Sequence, residues 1–108
     1  MLELNGKDVR FLARMGARGT LGQVLFDYLK DGNEAYLLSA DLALASGFER
    51  ISRSFPDRVI NVGIAEQNML GIAAGMACPD IPIVATSWAM FSVVRAADQV
   101  RNYMGYMQ

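Results

Sequence analysis

The chain has 108 residues, which is room for one domain at most. Ten Lys and Arg against eleven Asp and Glu leave a net charge of −1, so neither a nucleic-acid nor an anionic-membrane surface is expected. Hydrophobic residues make up 53% of the chain, which excludes a disordered protein and favours surfaces that are buried or covered by a partner. Histidine is absent and Cys78 is the single cysteine. A histidine base, an intrachain disulfide and a cysteine-built zinc site are therefore excluded within this chain.

The sequence predicts neither a membrane span nor a secretory signal. Its longest apolar stretch, residues 69–78, is too short for the roughly 20 residues that a bilayer requires. The N-terminal residues mix both charge signs and lack the continuous apolar core of a signal peptide. Because a single cysteine also fits a reducing compartment, we expect a cytoplasmic protein.

The first half of the chain predicts helix, strand and helix in that order. Residues 1–19 form an N-terminal arm with a short helix and a loop. Thr20 then caps a helix whose apolar positions follow the 3.6-residue period. Residues 35–40 read as a buried strand. Ser46 and Glu49 have the spacing of a capping box, which predicts the start of a short second helix.

The second half repeats this alternation. Residues 58–63 predict a buried strand, residues 65–78 a helix, residues 81–86 a third strand, and residues 87–106 a final helix. Strands that alternate with helices predict an α/β fold with a mostly parallel sheet and helices on both faces. The alternation calls for another strand after residue 106, so we expect a fragment or one piece of a larger assembly.

The helix over residues 65–78 has two informative faces. One of them carries a core-facing row of apolar side chains, namely Met69, Ile72, Ala73 and Met76. Gly71 and Gly75 lie four residues apart on a neighbouring face, where they allow the close approach of another backbone.

Three positions follow the predicted strands directly: Asp41, residues 63–66 and residues 86–88. Ligands of open parallel sheets bind beyond the carboxyl ends of the strands. We therefore expect the functional site at this edge of the sheet.

Glu66 is the sharpest candidate because it opens a helix directly after a buried strand. The helix dipole favours a carboxylate there, and a helix-start acid without catalytic function remains the alternative. Gly63, Ile64 and Ala65 beside it are small or apolar. They would bring a ligand ring close, exclude water and raise the pKa of the carboxyl group, which could then share a proton with a ligand nitrogen.

Residues 55–69, FPDRVINVGIAEQNM, resemble the thiamine-diphosphate enzymes of the transketolase type. The likeness is to their pyrimidine-binding domain, as in the C-terminal subunits of split bacterial transketolases. Residues 39–42 and 89–101 fit the same family in order and spacing, and the resemblance covers roughly residues 17–107. It implies that residues 20–108 form a partial pyrimidine-binding domain. 1-Deoxyxylulose-5-phosphate synthases and 2-oxoacid dehydrogenase β subunits share this domain, but the Ser-Ala-Asp-Leu segment favours transketolase.

The resemblance assigns cofactor contacts to five residues. It implies that Glu66 hydrogen-bonds the pyrimidine nitrogen of thiamine diphosphate, which enables the cofactor's amino group to remove the thiazolium proton. Phe91 matches an aromatic residue that stacks on the aminopyrimidine, while Trp88 and Ile64 match further parts of the pocket. Asp41 corresponds to an acidic residue near the thiazolium ring and the subunit interface. Without the resemblance, Phe91 would be interpreted as a core residue and Trp88 as a core or interface residue. Asp41 would be interpreted as an aspartate at the end of a strand.

The resemblance also implies a substrate site and a partner. Arg18 falls where the family binds the sugar phosphate, for which a guanidinium offers paired donors, although a solvated arginine is the alternative. Ser46 lies close to the position of a substrate-contacting serine of the family, although the capping-box interpretation with Glu49 is the stronger one. The family's Gly-Asp-Gly diphosphate and Mg²⁺ site is absent from this sequence. A partner domain would hold both groups, in a homo-oligomer or on a complementary transketolase subunit.

The function implied is transfer of a two-carbon ketol unit between sugar phosphates by the complete assembly. Two alternatives remain open. One is another thiamine-diphosphate enzyme such as 1-deoxyxylulose-5-phosphate synthase. The other is a non-catalytic α/β fragment that binds a partner subunit.

Overall fold

The computed structural model describes residues 5–77 and 80–106, so the predicted helix end at Cys78 lies outside the described residues. The elements, in chain order, are α1 (Gly6–Lys30), β1 (Tyr36–Ser39), α2 (Glu49–Ser54), β2 (Val59–Asn61), α3 (Glu66–Met76) and β3 (Ile83–Thr86). A C-terminal helical segment follows, in which the single turn α4 (Ala97–Gln99) lies between two π-helical stretches, Met90–Arg95 and Val100–Tyr106. The predicted alternation of strands and helices is confirmed.

The three strands form one parallel sheet in the order β2-β1-β3. Leu37 of the central strand pairs with Val59 on one side and with Val84 on the other. The chain passes from β1 to β2 on one side and then to β3 on the opposite side. The direction of strand succession therefore reverses between β1 and β3, which is where open α/β sheets bind ligands.

Helices cover both faces of the sheet, as the sequence predicted. Alternate residues of β1 point to opposite faces, so Leu37 and Leu38 join different cores. The first core is closed by α1 and α2, through Phe26, Leu29, Phe48 and Ile51. The second is closed by α3, where Met69 and Ala73 are buried against Leu38 and Ala40. The predicted apolar face of α3 is confirmed.

The start of α1 differs from the prediction. Asn5 caps the helix, because its side-chain oxygen accepts hydrogen bonds from the backbone N–H groups of Lys7 and Asp8. From there α1 continues to Lys30. The only break in helical geometry is at Gly16, where φ is 71°. The prediction that Thr20 caps a new helix is wrong, because its hydroxyl donates to the carbonyl of Leu12 instead. No helix within the described part of the chain is long and apolar enough to span a bilayer.

The predicted capping box at α2 is also wrong. The N-cap of α2 is Phe48, and its side chain makes no capping hydrogen bond. Ser46 lies in the preceding turn, where its N–H donates to the carbonyl of Leu42. Glu49 pairs with Arg53 on the exposed side of the helix. The turn thus places Ser46 two residues before the N-cap, where it lines the cavity described below.

One further expectation fails in the second half. Residues 87–106 do not form one regular α-helix, because π-helical stretches make up most of the segment. Among the described residues, no backbone makes the close approach that the two glycines of α3 allow. A Cβ on Gly71 would meet the Tyr103 ring at an ordinary 3.5 Å, and one on Gly75 would meet nothing within 4 Å.

Candidate functional site

A cavity of about 300 Å³ lies at the carboxyl ends of β1 and β3. Its walls come from α1, the turn after β1 and the segment after β3, through Arg18, Leu21, Leu42, Ala45, Ser46, Thr86, Ser87, Trp88 and Ala89. The structure thus brings together three of the sequence-predicted site residues: Arg18, Ser46 and Trp88. Asp41, Ile64, Glu66 and Phe91 lie outside its lining.

The wall that carries Arg18 depends on a contact between two glycines. A Cβ on Gly22 of α1 would lie 2.2 Å from the carbonyl oxygen of Gly47, and Gly47 itself has φ of 81°. This contact presses α1 against the turn before α2, so the Arg18 guanidinium reaches the carbonyl of Ala45 at 3.2 Å. Sequence reasoning missed the pair, because the two glycines are far apart along the chain.

One hydroxyl group in the cavity wall is buried without a protein hydrogen bond. Thr86 Oγ1 has no partner among the described residues, whereas the Ser87 hydroxyl lies close enough to the Glu66 carboxylate to help lower its pKa. Buried polar groups in native proteins are nearly always hydrogen-bonded, so the Thr86 hydroxyl marks capacity for a polar ligand.

Glu66 is the first residue of α3 and its side chain is only 3% exposed. Its Oε2 accepts a hydrogen bond from Arg95 Nη1 at 3.0 Å. The backbone N–H of Glu66 and then the guanidinium of Arg95 hold the pKa of the carboxyl group below its ordinary value, and burial opposes them only in part. The expectation of a raised pKa is therefore wrong for this conformation, in which Glu66 is ionised at neutral pH.

Arg95 links Glu66 to the second predicted cofactor residue. Its guanidinium carbon lies 4.3 Å from the centroid of the Phe91 ring, within the range of a cation–π contact. The Gln67 amide donates to the Arg95 carbonyl at 3.0 Å and ties this stretch to α3. Sequence reasoning did not include Arg95 in the site. The available signal was a lone arginine four residues after Phe91 in an otherwise apolar run.

Ile64 does not shield Glu66 from water as expected, because its side chain is 79% exposed. Trp88 is 53% exposed, although it lines the cavity. Other large apolar residues in the segments after the strands are also exposed, namely Leu44, Met90, Val93 and Val94. Scattered exposed apolar residues are ordinary, but several within one short segment, as in residues 88–94, are typical of a surface that another molecule covers.

Asp41 lies two residues after the end of β1 and has an unusual backbone conformation. It is the one non-glycine residue with positive φ among the described residues, at 60°. The Asn61 side chain supports it by accepting from the Asp41 N–H at 2.9 Å and donating to Asp41 Oδ1 at 3.1 Å. The same amide oxygen accepts from the Gly63 N–H at 3.0 Å. Asn61 therefore joins the ends of β1 and β2, a role that the sequence did not reveal.

The family described as "Transketolase, pyrimidine binding domain" matches residues 14–108. The chain belongs to this family. A relative named "Putative transketolase C-terminal section", from Methanocaldococcus jannaschii, is 36% identical over 91 residues, which are 84% of this chain and 29% of the relative. The 6-deoxy-6-sulfo-D-fructose transketolase subunit SqwH of a Clostridium species is 37% identical over 82% of this chain and 28% of that subunit.

A 1-deoxy-D-xylulose-5-phosphate synthase from Prochlorococcus marinus is 33% identical over 84 residues, which are 78% of this chain and 13% of the synthase. This pyrimidine-binding domain thus spans less than a third of the length of the curated relatives that it matches.

The family implies thiamine diphosphate, and the residues present fit the pyrimidine end of that cofactor. A planar ring with N–H donors requires a carboxylate at its edge and an apolar face, which Glu66 and Phe91 supply. Arg95 already makes both interactions from within the chain, which shows that a flat cationic group fits between them. For the diphosphate end, residues 5–77 and 80–106 contain no cluster of three or more potential metal ligands.

Proposed function

We propose that this domain supplies the pyrimidine half of a thiamine-diphosphate site in a transketolase-like transferase. The complete assembly, which we assign to the cytoplasm, transfers a two-carbon ketol unit between sugar phosphates. The observation that carries the proposal is a buried, ionised Glu66 at the start of α3, joined through one planar cation to the Phe91 ring. Thiamine diphosphate, when bound, supplies the nucleophilic carbon that this transfer requires.

Each predicted cofactor residue has its own task in this proposal. Glu66 accepts a hydrogen bond from the ring nitrogen when that nitrogen is protonated, and its carboxylate stabilises the proton there. Phe91 offers a flat apolar face to the ring, and Ile64 and Trp88 cover the ring from the side that faces the partner. Asp41, held by Asn61, lies towards the thiazolium end of the cofactor.

The cavity beside Arg18 is the proposed sugar-phosphate site. Its volume of about 300 Å³ is at the lower end of the range for small-molecule sites. The Arg18 guanidinium can bind a phosphate through two parallel hydrogen bonds. Ser46, with the unpartnered hydroxyl of Thr86, offers polar contacts to a sugar.

A partner chain completes the site in this proposal. It carries the diphosphate and Mg²⁺ contacts and covers the exposed apolar residues around Ile64 and Trp88. The partner is a complementary transketolase subunit or a second copy of the longer protein. The Clostridium relative is named as a transketolase subunit, which supports the first of these.

The test is a steady-state assay of ketol transfer from a ketose phosphate to an aldose phosphate, with thiamine diphosphate and Mg²⁺. The chain is assayed alone and with a second chain that carries the diphosphate site. We expect negligible turnover alone and robust turnover in the mixture. In the mixture, Glu66→Gln should reduce turnover by about 10²-fold or more, the contribution of a positioned acid–base group. Glu49→Gln, at an exposed carboxylate on α2, is the matched control.

The similarity to 1-deoxy-D-xylulose-5-phosphate synthases favours a second candidate function. A parallel assay gives the same mixture a 2-oxo acid in place of the ketose phosphate. Formation of 1-deoxyxylulose 5-phosphate, without ketol transfer, would assign the domain to that reaction. Stable binding of the second chain without either reaction would leave a non-catalytic interaction domain.

A further inference from the structure

One guanidinium makes the two interactions that the proposed function assigns to the cofactor ring. Arg95 Nη1 donates to the buried carboxylate of Glu66 at 3.0 Å, and the guanidinium carbon lies 4.3 Å from the Phe91 centroid. A guanidinium is flat, delocalised and rich in N–H donors. In these respects it resembles a protonated aminopyrimidine.

The Arg95 side chain has an open route away from this position. It is 50% exposed, whereas the Glu66 side chain that it contacts is 3% exposed. The Arg95 backbone is held by the hydrogen bond from Gln67, and the next residue, Ala96, is fully buried. Rotation of the side chain alone would therefore clear the space between Glu66 and Phe91, with no movement of the main chain.

We propose that Arg95 is an internal occupant of the pyrimidine site, which the cofactor ring must displace in order to contact Glu66 and Phe91. The inference rests on the proposed function and adds to it a positioning residue that the family assignment does not give. In the closed state Arg95 keeps Glu66 paired and Phe91 covered. In the open state the ring takes over both contacts and Arg95 turns towards solvent.

This arrangement predicts the sign of a binding change. The closed state competes with the ring. The apparent affinity for the ring is therefore the intrinsic affinity multiplied by the fraction of chains in which Arg95 has left the site. Removal of the guanidinium should therefore strengthen ring binding. If Arg95 were a purely structural partner of Glu66, its removal would leave ring binding unchanged or weaken it.

The experiment titrates 4-amino-2-methylpyrimidine and thiamine separately into the full chain and follows binding by NMR chemical-shift changes. Arg95→Met is compared with the parent chain, and Arg101→Met is the matched control, because Arg101 pairs with Asp98 on the same C-terminal segment. We expect Arg95→Met to bind both probes about tenfold more tightly, as expected when a chain that is about 90% closed becomes open. Arg101→Met should match the parent.

Two further variants keep every outcome decisive. Arg95→Lys retains a positive charge beside Glu66 but loses the flat fork, so it should bind the probes with intermediate affinity. Glu66→Gln should weaken probe binding whatever Arg95 does. The pH titration of the Glu66 carboxyl, followed by ¹³C NMR, should shift upwards in Arg95→Met and remain unchanged in Arg101→Met.

Equal or weaker probe binding by Arg95→Met, with binding still dependent on Glu66, would overturn the role of Arg95 and leave the proposed function intact. Absence of probe binding by the parent and by every variant would overturn both. Tighter binding by Arg95→Met that Glu66→Gln abolishes supports both.

Discussion

Replacing Gly22 with alanine is expected to destabilise the chain, although the same change stabilises most exposed helices. Gly22 lies within α1, and a methyl group there would point at the turn before α2. It would lie 2.2 Å from the carbonyl oxygen of Gly47 and 3.0 Å from the carbonyl carbon. Real side-chain carbons essentially never come closer than 3.0 Å to another heavy atom, so α1 and the turn must separate.

The size of the effect follows from two opposing contributions. Overpacking of this kind typically costs about 1–3 kcal/mol, and the group in the way here is backbone that cannot rotate aside. A helical alanine regains about 0.5–1 kcal/mol relative to glycine. Because backbone is in the way, the cost lies at the upper end of that range, about 2–3 kcal/mol, and the expected net loss in the free energy of unfolding is about 1–2.5 kcal/mol. For a domain of this size that corresponds to a fall in Tm of about 4–20 °C.

Thermal unfolding followed by circular dichroism measures the change, with Gly75→Ala as the matched control. Gly75 is an exposed helical glycine of α3, and a Cβ there would meet nothing within 4 Å. The control should raise Tm by a few degrees, since it gains about 0.5–1 kcal/mol of helix stability without a clash. If both substitutions shift Tm in the same direction, the close contact between α1 and the turn is not present in the protein.

Three further predictions concern the edge of the sheet. Asn61→Ala removes two hydrogen bonds to Asp41 and one from the Gly63 N–H, and it should cost about 1–2 kcal/mol, while the exposed Asn68→Ala should stay within about 0.5 kcal/mol in the same melting experiment. Because the folded-state pKa of Glu66 is lowered, its carboxylate stabilises the fold above the unfolded value of about 4.3 and this contribution is lost as the pH falls through the folded pKa. The stability of Glu66→Gln should therefore fall less steeply with acid than that of the parent below about pH 4.3, and parallel curves would refute the pairing with Arg95. Trp88 is the single tryptophan and is 53% exposed, so binding of the second chain should shift its fluorescence to the blue and protect it from acrylamide, and an unchanged spectrum would place the interface elsewhere.

The order of strands and helices was predictable because it is encoded locally. Short apolar runs marked β1, β2 and β3, and the period of Met69 and Ala73 marked the buried face of α3. The position of Glu66 followed from the same logic, since the helical period of α3 begins close to it after the apolar run of β2. Local patterns of this kind need no knowledge of distant residues.

The capping residues were not predictable with the same logic. Thr20 and Ser46 both have the residue type and spacing of helix caps, yet neither caps a helix. At Ser46 the preceding turn and the positive φ of Gly47 decide where α2 begins. Capping patterns state which residue could cap a helix, and the path of the preceding chain decides whether it does.

The contacts that shape the candidate site join residues far apart in sequence. Gly22 meets Gly47, Asn61 holds Asp41, and Arg95 reaches Glu66 across the packing of the C-terminal segment on α3. No spacing rule connects these pairs. The π-helical stretch Met90–Arg95 adds to the difficulty, because the side-chain directions of a regular α-helix do not apply to it.

The sequence and the structure give opposite directions for the shift in the pKa of Glu66. The sequence predicted burial beside apolar residues, and burial alone raises the pKa of a carboxyl group. The structure adds the backbone N–H and the Arg95 guanidinium, which outweigh burial and lower the pKa. If the cofactor ring displaces Arg95, the charge that favours the ionised form leaves and the pKa of Glu66 rises. The backbone N–H, which lowers the pKa by more than burial raises it, stays in place. Displacement of Arg95 therefore makes Glu66 more basic, so that it shares a proton with the ring more readily, although burial alone does not set its pKa.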